Sequence, residues 1–319
     1  GLVAISSCLS ESDIEGICES IIEFLSTPMR KEAISTLENI ALAHPEFYPQ
    51  SLNSIFPFIC FTEDDDEEEN SRLRMQAQRS LMNLFGEFEG QIDIPCNQYI
   101  GFVYQMIQIS FQLASPPYNM QDELNLSLPF TSSFFRSVES IIVDESESEL
   151  NAYTKSIVDL SINLFLSSNE KDLILQDSFN IISSVVCKTT SSFLAMINNE
   201  TSTSIYPFVF VAEIVNKVHE KCLLYLNEIY ESDELCTSMI EMYSSLFSFI
   251  NCKNDEIEAY KHGILEFVQS ILPRMSEFLS SMDLTLSKVS WLFSIDILQS
   301  SEPSLFQEYL LKRCSLFFH

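Results

Sequence analysis

Met29-Arg30-Lys31-Glu32-Ala33-Ile34-Ser35-Thr36-Leu37-Glu38-Asn39-Ile40 is matched 44 residues later by Leu73-Arg74-Met75-Gln76-Ala77-Gln78-Arg79-Ser80-Leu81-Met82-Asn83-Leu84. Arg30 and Arg74, Ala33 and Ala77, Leu37 and Leu81, and Asn39 and Asn83 occupy the same four places. Apolar residues in both segments recur at helical spacing. Ala33, Ile34, Leu37, Ile40 and Ala41 share one face, as do Ala77, Leu81, Leu84 and Phe85. A period of about 40–47 residues marks units made of paired helices, which bury their apolar faces by stacking on their neighbours. The predicted fold class is therefore all-α, a right-handed α-α solenoid of about seven helical pairs. Such a protein works through a long curved surface and not through an enclosed catalytic pocket.

Composition agrees with helices. The 319 residues include only six Gly, and 46% are hydrophobic, with 25 Phe. Tight-turned β folds use more glycine than this. The predicted helices lie near 13–25, 28–43, 47–60, 71–88, 97–114, 131–143, 149–167, 170–188, 205–230, 233–251, 255–280, 284–299 and 303–317. Thr27-Pro28 reads as a helix start and His44-Pro45 as a helix end. Ser168-Asn169-Glu170, Ser232-Asp233-Glu234 and Asn254-Asp255-Glu256 read as N-terminal caps, with acids where the helix dipole favours them. Residues 1–319 read as one continuous array. It is interrupted by an acidic loop at 62–70 and an extended insertion at 115–128 that opens on Ser115-Pro116-Pro117. Ser178 with Ile182, and Gly263 with Phe267, fit the Ala and Leu places of later units. The chain begins Gly1-Leu2-Val3 and ends within an apolar pattern, as expected for a piece of a longer array.

The charge is extreme: 17 Lys+Arg against 46 Asp+Glu, a net −29. Phosphate contacts need clustered Lys and Arg, so direct nucleic-acid binding is disfavoured, and an anionic membrane surface would repel the chain. Basic proteins are the natural partners; the alternative is that the charge only maintains solubility. It concentrates in Glu63, Asp64, Asp65, Asp66, Glu67, Glu68 and Glu69, and in a second acidic turn with Asp144, Glu145, Glu147 and Glu149. Like charges at this density repel and stay hydrated. The residues are candidate contacts for a Lys/Arg-rich segment, a solvated linker, or an autoinhibitory loop over a basic surface of the same chain.

Enzyme signatures are absent. The sequence has no GxGxxG, no GxxxxGK[ST], no GxSxG and no HExxH, and no catalytic residue or cofactor is expected. His219 and Cys222 lie three apart without a second ligand pair, so no metal site is expected either; His219 reads as a helix-surface residue beside Lys217 and Glu220. The nine Cys form no CxxC pair and read as reduced, small hydrophobes. No apolar run reaches the length of a membrane span. Trp291, within Val289-Ser290-Trp291-Leu292-Phe293, reads as a core anchor.

The two matched segments resemble the second helix of a HEAT repeat, in which a basic residue precedes a small residue and then a Leu. That resemblance assigns Arg30, Ala33, Leu37, Arg74, Ala77 and Leu81 to structural repeat positions. It also implies that the Arg joins a polar ladder with an acid six residues earlier, which for Arg74 is Glu68 and for Arg30 is filled by Phe24. Ala43-His44-Pro45-Glu46-Phe47-Tyr48-Pro49-Gln50-Ser51-Leu52-Asn53-Ser54-Ile55-Phe56-Pro57-Phe58-Ile59 resembles the junction between repeats in importin-β-like karyopherins. The tract at 63–69 is similar to their acidic loops. The resemblance implies a nuclear transport receptor that shuttles between cytoplasm and nucleus. It would bind basic protein cargo, the small GTPase Ran and the Phe-Gly repeats of the nuclear pore. HEAT scaffolds of phosphatase or chromatin complexes share the same phrasing and are the alternative; an enzyme with an unrecognised site is a distant one.

Overall fold

The computed structural model describes residues 10–63, 66–141, 143–169, 173–198, 204–226, 232–252, 255–279 and 281–300. The predicted helix at 303–317 lies outside them. Among the described residues the chain is helical, with a single isolated bridge between Ile94 and Val138 and no strand. It divides into two compact units, the first ending at Glu139 and the second beginning at Ser140.

The first unit carries α1 (Glu11–Phe24), α2 (Arg30–Ala43), α3 (Tyr48–Ile55), α4 (Glu67–Glu87), α5 (Cys96–Ala114) and α6 (Gln121–Ser137). Ser10 starts α1 through a capping box, its hydroxyl accepting from the Asp13 amide while the Asp13 carboxylate accepts from the Ser10 amide. α2 buries Ala33, Ile34, Leu37, Ile40 and Ala41, the face read from the sequence. It ends at Ala43, ahead of His44-Pro45. Its start is two residues later than Thr27-Pro28 implied, because Thr27 Oγ1 accepts from the Met29 amide and holds a separate turn.

Helices alternate between two rows. α2 packs on α1 and α4, and α4 packs on α6. α3 packs beneath α2 and α4, while the 3-10 turn Phe56–Cys60 and α5 pack on each other. The helix predicted over 47–60 is broken here because Pro57 has no amide to continue the ladder; α3 stops at Ile55 and the 3-10 turn begins. Between the rows, Phe56 stacks on Tyr99 at 4.1 Å between ring centroids. Phe85, Phe130 and Phe134 lie around it at 6.2–6.4 Å.

The proposed insertion at 115–128 is largely helix. α6 begins at Gln121 and runs through Pro129, so only 115–120 connect α5 to it, and the helix predicted at 131–143 begins ten residues early. Proline in a helix interior removes one backbone bond. Here Ser127 and Thr131 donate their hydroxyls to the carbonyls four residues before them and hold the surrounding backbone. Val138 is extended, and Ile94 pairs with the carbonyl of Ser137 and the amide of Glu139.

The second unit carries α7 (Glu149–Ser167), α8 (Leu173–Asn198), α9 (Tyr206–Leu224), α10 (Asp233–Ser248), the short α11 (Asp255–Glu258), α12 (Lys261–Phe278) and α13 (Leu284–Gln299). Again alternate helices pack: α8 on α10 and α10 on α13 in one row, α7 on α9 and α9 on α12 in the other. Ser232 caps α10 as the sequence predicted, its hydroxyl accepting from the Leu235 amide at 3.2 Å. Lys221 on α9 closes α7, donating to the carbonyls of Phe165, Leu166 and Ser168 at 2.6–3.2 Å. A cation at this helix end satisfies exposed carbonyls and opposes the dipole.

α8 is long and apolar enough to cross a membrane by composition alone. It is more than half buried, lies against α7, α9 and α10, and carries Asn180 and Ser183 in hydrogen bonds to α10.

Candidate functional site

Side chains on alternate helices are joined by polar rungs. Between α2 and α4, Gln76 donates to Ser35 at 3.1 Å, Ser80 to Glu38 at 2.5 Å and Asn83 to Glu38 at 2.8 Å. These rungs span 41, 42 and 45 residues of sequence, bracketing the 44-residue repeat. Ala33 and Leu37 are buried on α2, and Ala77 and Leu81 on α4. The two Arg positions differ. Arg30 is partly exposed, whereas Arg74 is 1% exposed and is the largest fully buried side chain described.

Arg74 gathers the start of α4 and the start of α6. Its Nε and Nη2 meet Glu123 Oε1 at 3.2 and 2.9 Å, Nη2 meets Glu67 at 2.5 Å, and Nη1 donates to the Phe61 carbonyl at 2.9 Å. The ladder partner is therefore not Glu68, six residues back, which turns outward and pairs with Arg72. A helix turns 3.6 residues per turn, so Glu67, seven before Arg74, lies on the same face. Glu123 is also 1% exposed, and its Oε2 has no hydrogen-bond partner. Sequence reading missed this residue because it lay inside the stretch taken for an insertion.

The acidic loop is shorter than expected and partly neutralised. α4 starts at Glu67, so Glu67, Glu68 and Glu69 form its first turn, and Asp66 caps it by accepting from the Glu69 amide at 3.1 Å. Acids in a first turn face the positive end of the helix dipole. Glu63 forms a bidentate pair with Arg30 at 3.1 and 3.4 Å, and Lys31 approaches Glu69 at 4.0 Å. Arg30 also sits over the Phe61 ring, 4.8 Å from its centroid. Asp64 and Asp65 lie outside the described residues.

Beside this cluster is an open groove of about 500 Å³. Ile22 and Leu25 from the end of α1, with Pro57, Phe58 and Phe61 from the turn after α3, form its apolar surface. Arg30 and Glu63 are its charged lining residues. Phe24 and Met29, on the α1–α2 connection, are about half exposed.

The second acidic turn is a local structure at the head of α7. Asp144 accepts from the Ser146 amide at 2.9 Å, from the Ser146 hydroxyl at 2.5 Å and from Asn151. These bonds hold its carboxyl below the usual range, Ser146 contributing most. Glu145 and Glu147 are exposed, and Glu149 opens α7 within 3.5 Å of the Tyr153 hydroxyl.

Other expected positions move. His219 is wedged between helices, its Nδ1 2.8 Å from the Tyr243 hydroxyl and its ring edge-on to Phe267 at 4.4 Å. Burial lowers its pKa. Trp291 is 47% exposed and so is no core anchor; Phe293 and Ile297 supply the buried face of α13. Gly263 and Phe267 lie on α12, in the row opposite to α8, α10 and α13; Ser178 and Ile182 are buried on α8. Among the described residues no three His, Cys, Asp or Glu side chains gather as metal ligands. Burial pushes the Cys60, Cys96 and Cys236 thiols up to about 12, which keeps them protonated and weakly reactive.

Asp177 on α8 is more than half buried beside Glu234 on α10. Desolvation first, and the neighbouring carboxylate second, raise its pKa to about 6. The folded state therefore holds a proton that the unfolded chain releases near 3.8, so this group favours folding in acid. That advantage is lost as pH rises through about 6. Asp177→Asn is expected to raise stability by about 1 kcal/mol at pH 7, discounted for partial hydration, and to have no effect at pH 3.5. Urea titrations at the two pH values measure this; equal effects at both would remove the electrostatic cause.

No family model matches this sequence, and no curated protein matches it.

Proposed function

We propose that the chain is a HEAT-type protein-binding platform and, within that class, a nuclear transport receptor of the importin-β kind that holds basic polypeptides on an acidic surface. The observation that supports this best is the polar ladder between alternate helices. Paired helices joined side by side through such rungs bind partners on an exposed surface, and no enclosed chamber is required for that work. The net charge of −29 supplies long-range attraction for a basic partner. The transport role, with Ran and nuclear-pore Phe-Gly repeats as further partners, rests on the likeness of residues 43–59 and of the acidic tract to karyopherins.

A specific observation favours the scaffold alternative. Glu63, Glu67 and Glu68 are paired within the chain, so much of the tract also has a structural role. Pulldowns with GTP-bound Ran and with a Lys/Arg-rich localisation peptide separate the two. Capture of both supports a transport receptor; capture of neither, with a phosphatase or chromatin subunit bound instead, supports a scaffold. Peptide affinity is expected to fall at least tenfold between 20 and 200 mM salt, because exposed charge pairs are screened over a Debye length. Affinity independent of salt would remove the acidic surface from the binding role. Charge-neutralising variants should spare Glu67, since removing it disturbs buried Arg74.

A further inference from the structure

We propose that the groove beside α1 docks a linear peptide whose single aromatic or aliphatic side chain is flanked by Lys or Arg. This deepens the proposed function and rests on its reading of the acidic surface as a receptor for basic polypeptides.

The groove offers an apolar floor and an acidic exit. Its volume of about 500 Å³ accommodates one large side chain with adjoining backbone. Ile22, Leu25, Pro57 and Phe58 give that side chain contact on two walls. Arg30 is the cationic group among the lining residues, and its charge is already engaged by both oxygens of Glu63 and by the face of Phe61. The Glu63 side chain remains 53% exposed, and its carbonyl accepts from the Asn70 side chain at 2.9 Å, which holds it beside the acidic first turn of α4. A residue leaving the groove past Glu63 meets negative charge.

Complementarity selects the occupant. An acidic peptide would have to displace Glu63 from Arg30 and Glu69 from Lys31, and would then face the remaining acids of the α4 start. A second copy of the chain would bring another 29 negative charges to the same place. A Lys/Arg-flanked segment leaves the Arg30–Glu63 pair intact and adds cations to its exposed side. The apolar side chain supplies specificity, and the flanks supply attraction and speed of association.

Fluorescence anisotropy with the full chain tests this with three labelled heptapeptides: Phe between two Lys triplets, Ala between the same triplets, and Phe between two Glu triplets. The Lys-flanked Phe probe is expected to bind at least tenfold tighter than the Ala probe. Ser54 lines the groove and is partly buried; Ser54→Trp fills it and is expected to bring the two Lys probes within twofold of each other. Glu63→Gln is expected to weaken both about threefold.

Equal binding of the Phe and Ala probes to the wild-type chain overturns the groove while leaving the acidic surface in place. Failure of both Lys probes overturns the acidic-surface reading itself. Tighter binding of the Glu-flanked probe overturns the assigned charge. If Ser54→Trp does not fold, a Lys-flanked probe with a central benzoylphenylalanine reports on the wild-type protein. Photocrosslinks to 22–30 or 53–63 support the groove, and crosslinks confined elsewhere overturn it.

Discussion

Glu123→Ala is expected to lower the stability of the first unit by about 3–5 kcal/mol, because it strands the buried guanidinium of Arg74. Glu123 and Arg74 are each 1% exposed, so water cannot replace the lost carboxylate without opening the α4–α6 contact. Glu67 remains at 2.5 Å but reaches only Nη2 and is itself partly exposed. The control is the double substitution Arg74→Met with Glu123→Leu, expected within about 1 kcal/mol of wild type, since a well-packed apolar pair can replace a buried ion pair at little net cost. Urea unfolding, followed by amide exchange in α4 and α6, measures both. If the single and double variants lose the same amount, packing and not the uncompensated charge is responsible.

Phe56→Ala is expected to cost about 3–5 kcal/mol, from lost apolar transfer and the cavity left behind. Phe56 is fully buried, stacks on Tyr99 and faces rings from α4 and α6. Its removal therefore loosens both rows at once. Phe56→Leu keeps most of the volume and should lose less than half as much. Thermal melts of the two variants provide the comparison; equal losses would point to the aromatic stacking geometry in place of volume.

The fold was legible where the repeat was regular. The buried face of α2 follows from Ala33, Ile34, Leu37, Ile40 and Ala41 alone, because a helix against a helix leaves a stripe with a fixed period. Later units blur for a reason visible in the rungs. Those joining α4 to α6 span 49 residues, as from Arg74 to Glu123 and Gln78 to Ser127, and those joining α8 to α10 span 54–58. No single period spans these matches, and the pairs Ser178–Ile182 and Gly263–Phe267, expected at the same place of two units, fall on helices of opposite rows.

The candidate site was legible as composition but not as geometry. Seven consecutive acids mark a charged segment. That Glu63 would meet Arg30, 33 residues earlier, depends on how the α3 turn brings the chain back, which no local pattern encodes. Ser115-Pro116-Pro117 suggested irregular chain, yet tertiary burial of Leu124, Leu128 and Phe130 holds α6 together across Pro129. The extended insertion was the costliest misreading, since it hid the carboxylate that completes the Arg74 cluster.

The unequal, chemically distinct rungs also guard against misassembly. A hairpin that docked one place out of order would bury Arg74 with no Glu123 opposite, or set Glu38 against a face without Ser80 and Asn83 to donate to it. Buried polar groups without partners are expensive, whereas interchangeable leucines would tolerate the slip. Each junction thus works as a keyed joint, admitting its proper neighbour and rejecting the others in the same chain.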